Sequence, residues 1–550
     1  MLEMDNKETK MVDGVQYAKM IKAGTENLRA HAKDINDLNV FPIPDGDTGD
    51  NMLMTIVGGA DAVGSGSESL SDTVRKNADG MLLSARGNSG VILSQFFEGI
   101  AAGFEGVESA KSDDIVRALR SGVERAYSAV MVPTEGTMLT VMRSATESVE
   151  TETHDDPEKV LDSFIEEAKK TLEKTPDMLP VLKKAGVVDS GGAGLIYIME
   201  GMLKGLRGEE IEEYVPSGEK TGEQQIDVNL FTEDSVLEFG YCTELLLRLQ
   251  RVKTDLDSFD VSCITDYLST IGDSVVAVKN GTVVKLHVHT MTPHKVLEFC
   301  QQYGEFLKLK IENMSLQHNN TDLPAEKEEK PLPHKEIGIV VTCAGEGVKE
   351  LFLGSGADVI VDGGQSMNPS AEDFLSAFRK VNADTVFVFP NNSNIILTAK
   401  QAAGMFKDSD VRVIESKTVG DGYAALSMLD TDSGDADEIA EALTDAMSGV
   451  VTAEISKSVR DTQDTNAGEY IGFVGKDILA SEADRYTAVC KTVDKLDFAS
   501  CDICLILVGK DATEDEAARI EKYINSKHRG KEVYVINGKQ EIYDYILILE

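Results

Sequence analysis

At 550 residues, 42% hydrophobic and 27% charged, the chain is too long for one ordinary domain and has the composition of a folded protein rather than a fibrous or disordered one. Its 95 acidic residues outnumber 54 basic ones for a formal net charge of −41, which argues against nucleic acid or an anionic membrane held by bulk attraction. No apolar run is long enough to span a bilayer, the start lacks the basic and apolar regions of a secretory signal, and seven cysteines do not make a disulfide framework, so a cytoplasmic protein with reduced thiols is expected.

The first informative stretch is Asn39-Val40-Phe41-Pro42-Ile43-Pro44-Asp45-Gly46-Asp47-Thr48-Gly49-Asp50-Asn51. Pro42 and Pro44 favour extended backbone, Gly46 and Gly49 free it to bend, and Asp45 and Asp47 offer hard oxygen ligands suited to Mg²⁺. A helix pattern over 52–63 follows, so the turn sits at a helix N-terminus, where unpaired N–H groups favour anions. A solvated Asx turn that caps the helix is the plain alternative.

Three similar junctions come later. Gly87-Asn88-Ser89-Gly90 precedes a helix pattern over 91–100, Pro133-Thr134-Glu135-Gly136-Thr137 precedes 138–149, and Asp189-Ser190-Gly191-Gly192-Ala193-Gly194 precedes 195–206. Together the four could gather helix N-termini at one end of a bundle, with glycines for close backbone approach and hydroxyls as donors to phosphate oxygens. That geometry suits a nucleotide, although each glycine turn alone is ordinary punctuation. No G-x-x-x-x-G-K-[ST] sequence is present, which argues against a P-loop. Stripes at helical spacing over 114–130 and 157–172 are core positions.

Two linker-like stretches, 208–225 and 319–335, divide the chain into expected domains of 1–207, 226–318 and 336–550. In the middle one, Thr282-Val283-Val284-Lys285-Leu286-His287-Val288-His289 alternates as a strand, which places His287 and His289 on one face. With Cys242 they could bind a metal, but exposed histidines and an inert cysteine fit the pattern as well. The last domain alternates β-rich runs (337–342, 359–361, 385–389, 411–414, 503–508, 532–536) with helix patterns (371–381, 394–406, 514–524), which suggests a βαβ-type sheet. Cys501-Asp502-Ile503-Cys504 reads as core cysteine with the two sulfurs on opposite faces of a strand.

The Pro-Ile-Pro-Asp-Gly-Asp-Thr-Gly turn, Gly87 to Gly90, Gly136-Thr137-Met138-Leu139 and Asp189 to Gly194 resemble the nucleotide-binding (DhaL-type) domain of the dihydroxyacetone kinase family. In order and length the whole chain resembles the ATP-binding subunits of bacterial fatty acid kinases. The resemblance implies a multidomain chain: an all-α DhaL-type helical barrel with ATP at one end, a small α/β middle domain containing zinc, and a C-terminal α/β domain like the fatty-acid-binding DegV family. It also implies Zn²⁺ at Cys242, His287 and His289, with its role left open.

From the same resemblance comes an expected activity: an ATP- and Mg²⁺-dependent phosphotransferase that makes an acyl phosphate for phospholipid synthesis from a fatty acid presented by a separate DegV-family binding protein. Asp45 and Asp47 would be catalytic metal ligands, with Asn39 a weaker one. Asn88 and Ser89 would contact phosphate, while Thr137, Met138, Asp189 and Gly191 would line the nucleotide pocket. Asp50 could join the metal shell but is expected to face solvent, and Arg86 could meet phosphate but is expected to be surface charge. A homodimer through the middle or C-terminal domain is the family expectation. The competing readings are a small-ketose kinase, a nucleotide-responsive interaction scaffold, and a hydrolase centred on the middle-domain zinc.

Overall fold

A computed structural model describes residues 11–38, 47–209, 241–313 apart from 255, 257, 258, 269 and 281, then 331–364, 368–430, and 435–550 apart from 463. Met1–Pro216 and Pro331–Glu550 form one compact unit, and Ser217–Lys330 a second.

The N-terminal part of the first unit is helical: α1 Gly14–Asn36, α2 Thr48–Val63, α3 Leu70–Ser84, α4 Gly87–Gly103, α5 Ser112–Ser128, α6 Met138–Thr151, α7 Pro157–Met178, α8 Pro180–Ala185 and α9 Ser190–Arg207. Local chemistry marks the ends. Asp13 caps α1 by accepting from the Gln16 amide, Ser69 caps α3, and Gly208 ends α9 in the left-handed conformation. One face of each long helix feeds a common core that includes Ile21, Leu28, Phe96, Phe97, Met142 and Phe164, all fully buried.

Several expected helices begin earlier than their apolar patterns, α4 among them, which takes in Gly87 to Gly90. α2 takes in Thr48 to Asn51, and α9 takes in all three glycines of the Asp189 junction. Tertiary packing explains this. A Cβ on Gly49 would lie 2.2 Å from the Ala32 carbonyl oxygen, and one on Gly194 would lie 2.6 Å from Met52 Sδ. These glycines let helices touch, which outweighs their low helix propensity.

The C-terminal part holds two sheets. β5 Lys335–Cys343, β6 Val359–Asp362, β7 Ala383–Phe389 and β8 Asp410–Val413 pair in parallel in the order β6-β5-β7-β8, with helices Glu346–Gly354, Ala371–Val381 and Ile396–Met405 as the crossovers. β9 Val451–Lys457, β10 Tyr470–Val474, β11 Asp477–Glu482, β12 Ile503–Val508, β13 Glu532–Asn537 and β14 Tyr545–Leu549 form a mixed sheet ordered β11-β10-β9-β14-β12-β13. Only β12 and β13 run parallel there. Cys501 and Cys504 are both buried in one apolar cluster of this sheet, not on opposite faces, because Cys501 precedes the strand and escapes its alternation. Burial pushes the Cys504 thiol up to about 12, so it is an inert core group.

The second unit carries an antiparallel sheet ordered β2-β3-β1-β4, built from β1 Tyr241–Leu249, β2 Gly272–Asn280, β3 Val283–Thr290 and β4 Gly304–Asn313, with helices α10 Ser262–Leu268 and α11 Pro293–Gln301. Leu245, Leu247, Val284, Leu286, Val296 and Cys300 form its core.

Candidate functional site

The N-termini of α2, α4, α6 and α9 meet at one end of the helical part. Ser190 Oγ lies 3.4 Å from Thr48 Oγ1, which joins α9 to α2. The Asp189 carboxylate accepts from the Gly192 amide of its own helix at 2.7 Å and from the Met138 amide, which joins α9 to α6. A Cβ on Gly87 would lie 2.6 Å from Asn51 Nδ2, which places the start of α4 against α2. Four sets of partly positive helix ends thus face one region, an arrangement suited to anionic groups.

Asp189 is held from behind. Pro176 in α7 has no N–H for the Leu172 carbonyl four residues back; the Thr175 hydroxyl donates to that carbonyl at 2.7 Å instead. The same hydroxyl oxygen accepts the Asp189 amide at 3.1 Å, which fixes the residue that caps α9. Burial pushes the Asp189 carboxyl up to about 6, and the two amides that donate to it pull the other way without prevailing.

Asp47 stands at the start of α2, but its side chain does not cap that helix. Its Oδ2 accepts a hydrogen bond of 2.6 Å from Asn368 Nδ2, which comes from the segment before helix Ala371–Val381. Asn36, the last residue of α1, accepts the Gly49 amide at 2.7 Å and donates to Asp50 at 2.9 Å. That clamp fixes where the chain re-enters helix after the motif, and Asp50 is exposed. Asn39 and Asp45 lie outside the described residues.

The other expected residues are placed unequally. Asn88 and Ser89 lie in the first turn of α4, and Asn88 donates to Asn394 at 3.4 Å while its own Oδ1 is buried without a hydrogen-bond partner. Thr137 stands at the N-cap of α6 with its hydroxyl turned back to the Thr134 carbonyl at 2.7 Å. The Met138 side chain is in the apolar core, so it reaches this region through its backbone amide. Gly191 is buried, and a Cβ there would come within 3.2 Å of Met138 Cβ. Arg86 donates to the Asn368 carbonyl at 2.8 Å and pairs with Asp373 at 3.9 Å; it is a contact to the C-terminal part rather than loose surface charge.

Sequence reasoning missed Asn36, Asn51 and Asn368. Asn36 ends the helix just before the motif, a position that could have been read; Asn368 lies 321 residues from Asp47 and carries no local signal. Carboxylate and carboxamide oxygens beside four helix N-termini, two of those oxygens buried without a donor, are a donor set that fits a hard divalent cation with a phosphate chain.

In the second unit, Cys242 and His289 are Cα partners across β1 and β3, and Glu244 is the partner of His287. The side chains of Cys242, His287 and His289 lie outside the described residues. Among the described residues no group of three or more His, Cys, Asp or Glu side chains could hold a metal, and no helix is long and apolar enough to cross a membrane.

A helical domain with its helix ends drawn together around Asp47 and Asp189 is matched over residues 42–204 by the DAK2 domain model, which sets the class of this part of the chain. The FakA-like middle domain of fatty acid kinase matches 238–321, and the FakA-like C-terminal domain of fatty acid kinase matches 338–550. Protein YloV of Bacillus subtilis (strain 168) is 38% identical over 558 residues, 98% of this chain and 99% of that protein, and SH1689 of Staphylococcus haemolyticus is 36% identical over 555 residues with the same coverage. The chain belongs to the FakA-like fatty acid kinase family. Among solved structures, the dihydroxyacetone kinase from C. freundii in complex with AMP-PNP and Mg²⁺ has a TM-score of 0.29 and 20% identity, covering 36% of this chain and 35% of that one. DegV, a fatty acid binding protein from Bacillus subtilis, has a TM-score of 0.31 and 14% identity over 39% of this chain and 99% of that one.

Proposed function

We propose that the chain is the ATP-binding subunit of a fatty acid kinase, a phosphotransferase that takes its acceptor from a separate fatty-acid-binding protein of the DegV family. The observation that carries this reading is the convergence of four helix N-termini on the region of Asp47 and Asp189, in a member of this family. Kinase chemistry asks mainly for alignment and charge neutralisation, and helix ends supply both.

In the proposed reaction a carboxylate oxygen of the fatty acid attacks the γ-phosphorus of ATP. A new carboxylate O–P bond forms as the bond to the β,γ-bridging oxygen breaks, and ADP leaves with the electron pair. A carboxylate is already ionised at neutral pH, so no general base is needed. Mg²⁺ held by Asp47, with Asp45 beside it in sequence, would supply charge neutralisation on the phosphates. The amides at the start of α4 and α9 would orient the phosphate chain, with Asn88 and Ser89 as side-chain contacts. Thr137, Met138, Asp189 and Gly191 would form the wall against which the nucleotide lies.

ATP consumption measured with Mg²⁺, a long-chain fatty acid and its binding protein, each omitted in turn, tests the reading. Turnover that needs every component and is abolished in Asp47→Ala is the expected result. Turnover with dihydroxyacetone in place of the fatty acid and its carrier, or nucleotide binding without turnover under every condition, overturns it.

A further inference from the structure

We infer that Asn368, contributed by the C-terminal part of the chain, is a positioning residue of the Asp47 site and part of the surroundings of the divalent cation held there. The inference rests on the reading of Asp47 as a metal ligand and extends the site to a residue no motif indicates.

Three observations carry it. Asn368 Nδ2 donates to Asp47 Oδ2 at 2.6 Å and lies 3.4 Å from Asn51 Oδ1, so the amide fixes which way the carboxylate faces. Asn368 is 2% exposed, and its Oδ1 is buried with no hydrogen-bond partner. Such an oxygen is costly to bury if nothing meets it, and beside a carboxylate it is suited to a divalent cation or to a water bound to one.

The third observation is how firmly the residue is set. Its carbonyl accepts from Arg86 at 2.8 Å, the Ala371 amide donates to the Ala85 carbonyl at 3.3 Å, and Ser370 pairs with Arg86 in a β-bridge. A Cβ on Gly87 would lie 3.0 Å from Asn368 Nδ2, so the glycine leaves the room this amide occupies. Asparagine suits the position chemically: one end donates to the carboxylate while the other end still accepts. Aspartate would set two carboxylates against each other unless a cation lay between them.

Mn²⁺ binding to the full chain, followed by the electron paramagnetic resonance of the free ion, is the first readout, with wild type beside Asn368→Ala. The variant is expected to bind Mn²⁺ about tenfold more weakly, the usual scale for loss of a group that orients a metal ligand. The second readout is the rise in melting temperature on adding Mn²⁺ to wild type and to Asn368→Asp, a variant of the same size. Asn368→Asp is expected to melt lower without metal and to gain more from Mn²⁺ than wild type does. Wild-type Mn²⁺ affinity in Asn368→Ala, or an equal Mn²⁺ increment in Asn368→Asp, overturns the inference. Absence of ATP turnover in wild type, with the Mn²⁺ results as expected, would remove the kinase reading and leave the role of Asn368 standing.

Discussion

The carboxylate of Asp189 takes the backbone amide of Met138, and so ties the first turn of α6 to that of α9. This one side chain holds together two of the four helix ends that make the candidate site. It does so at a cost, because burial lifts its carboxyl to about 6 from the ordinary carboxylate range.

That shift has a definite sign in stability. Between about pH 4 and 6 the folded chain holds the Asp189 proton more tightly than the unfolded chain, so this group's contribution falls as pH rises through that window and is level above it. An asparagine side chain cannot ionise, so in Asp189→Asn this fall should be absent. Chemical denaturation of both proteins at pH 4, 5, 6 and 7 should therefore show wild type losing stability relative to the variant as pH rises. A difference that stays constant with pH would contradict the shift. The level of the difference is a separate matter, since one carboxamide oxygen replaces two carboxylate oxygens as acceptor for two amides.

Gly87 has φ of +57°, in the left-handed region, and a Cβ there meets both Asn51 and Asn368. Gly87→Ala is expected to destabilise the first unit by about 1–2 kcal/mol from backbone strain alone. It should also push Asn368 away from Asp47 and so weaken Mn²⁺ binding. Denaturant unfolding and Mn²⁺ titration measure the two effects; unchanged values in both would mean that the turn has room the packing does not indicate.

Zinc in the middle domain can be weighed directly. Because Cys242 and His289 are paired across β1 and β3, with His287 two residues from His289, a shared ion needs no long loop to close around it. Metal analysis of the purified wild type should give about one zinc per chain, and Cys242→Ala and His289→Ala should each retain much less. Equal zinc in all three proteins would remove the site.

Elements with a strong local pattern were legible in the sequence. Helix Ala371–Val381 matches its expected bounds because Ser370 and Asp373 form a capping box and Asn382 ends it in the left-handed conformation. Reading glycine as punctuation misled at Gly49 and Gly191, which lie inside helices where neighbours press close. The strand Tyr545–Leu549 is buried throughout and lacks the alternation that marks a half-exposed strand, so no period of two signals it in the sequence. Within the site, Asp47, Asn88 and Asp189 stood out by residue type and turn context, whereas Asn368 is brought in by docking of distant segments. No local period records such a contact.

The separation of 321 residues between Asp47 and Asn368 also has a consequence during synthesis. At about 5–20 residues per second, roughly 15–65 s pass between the emergence of the two residues from the ribosome. The helical part has its own apolar core and can close it in that interval, but the faces around Asp47, Ala85 and Leu82 that later receive Asn368, Ala371 and Gln401 stay uncovered until the C-terminal part is made. A ribosome that stalls after the helical part has emerged but before Asn368 is made would therefore leave a folded helical domain with its Asp47 carboxylate lacking the amide that orients it.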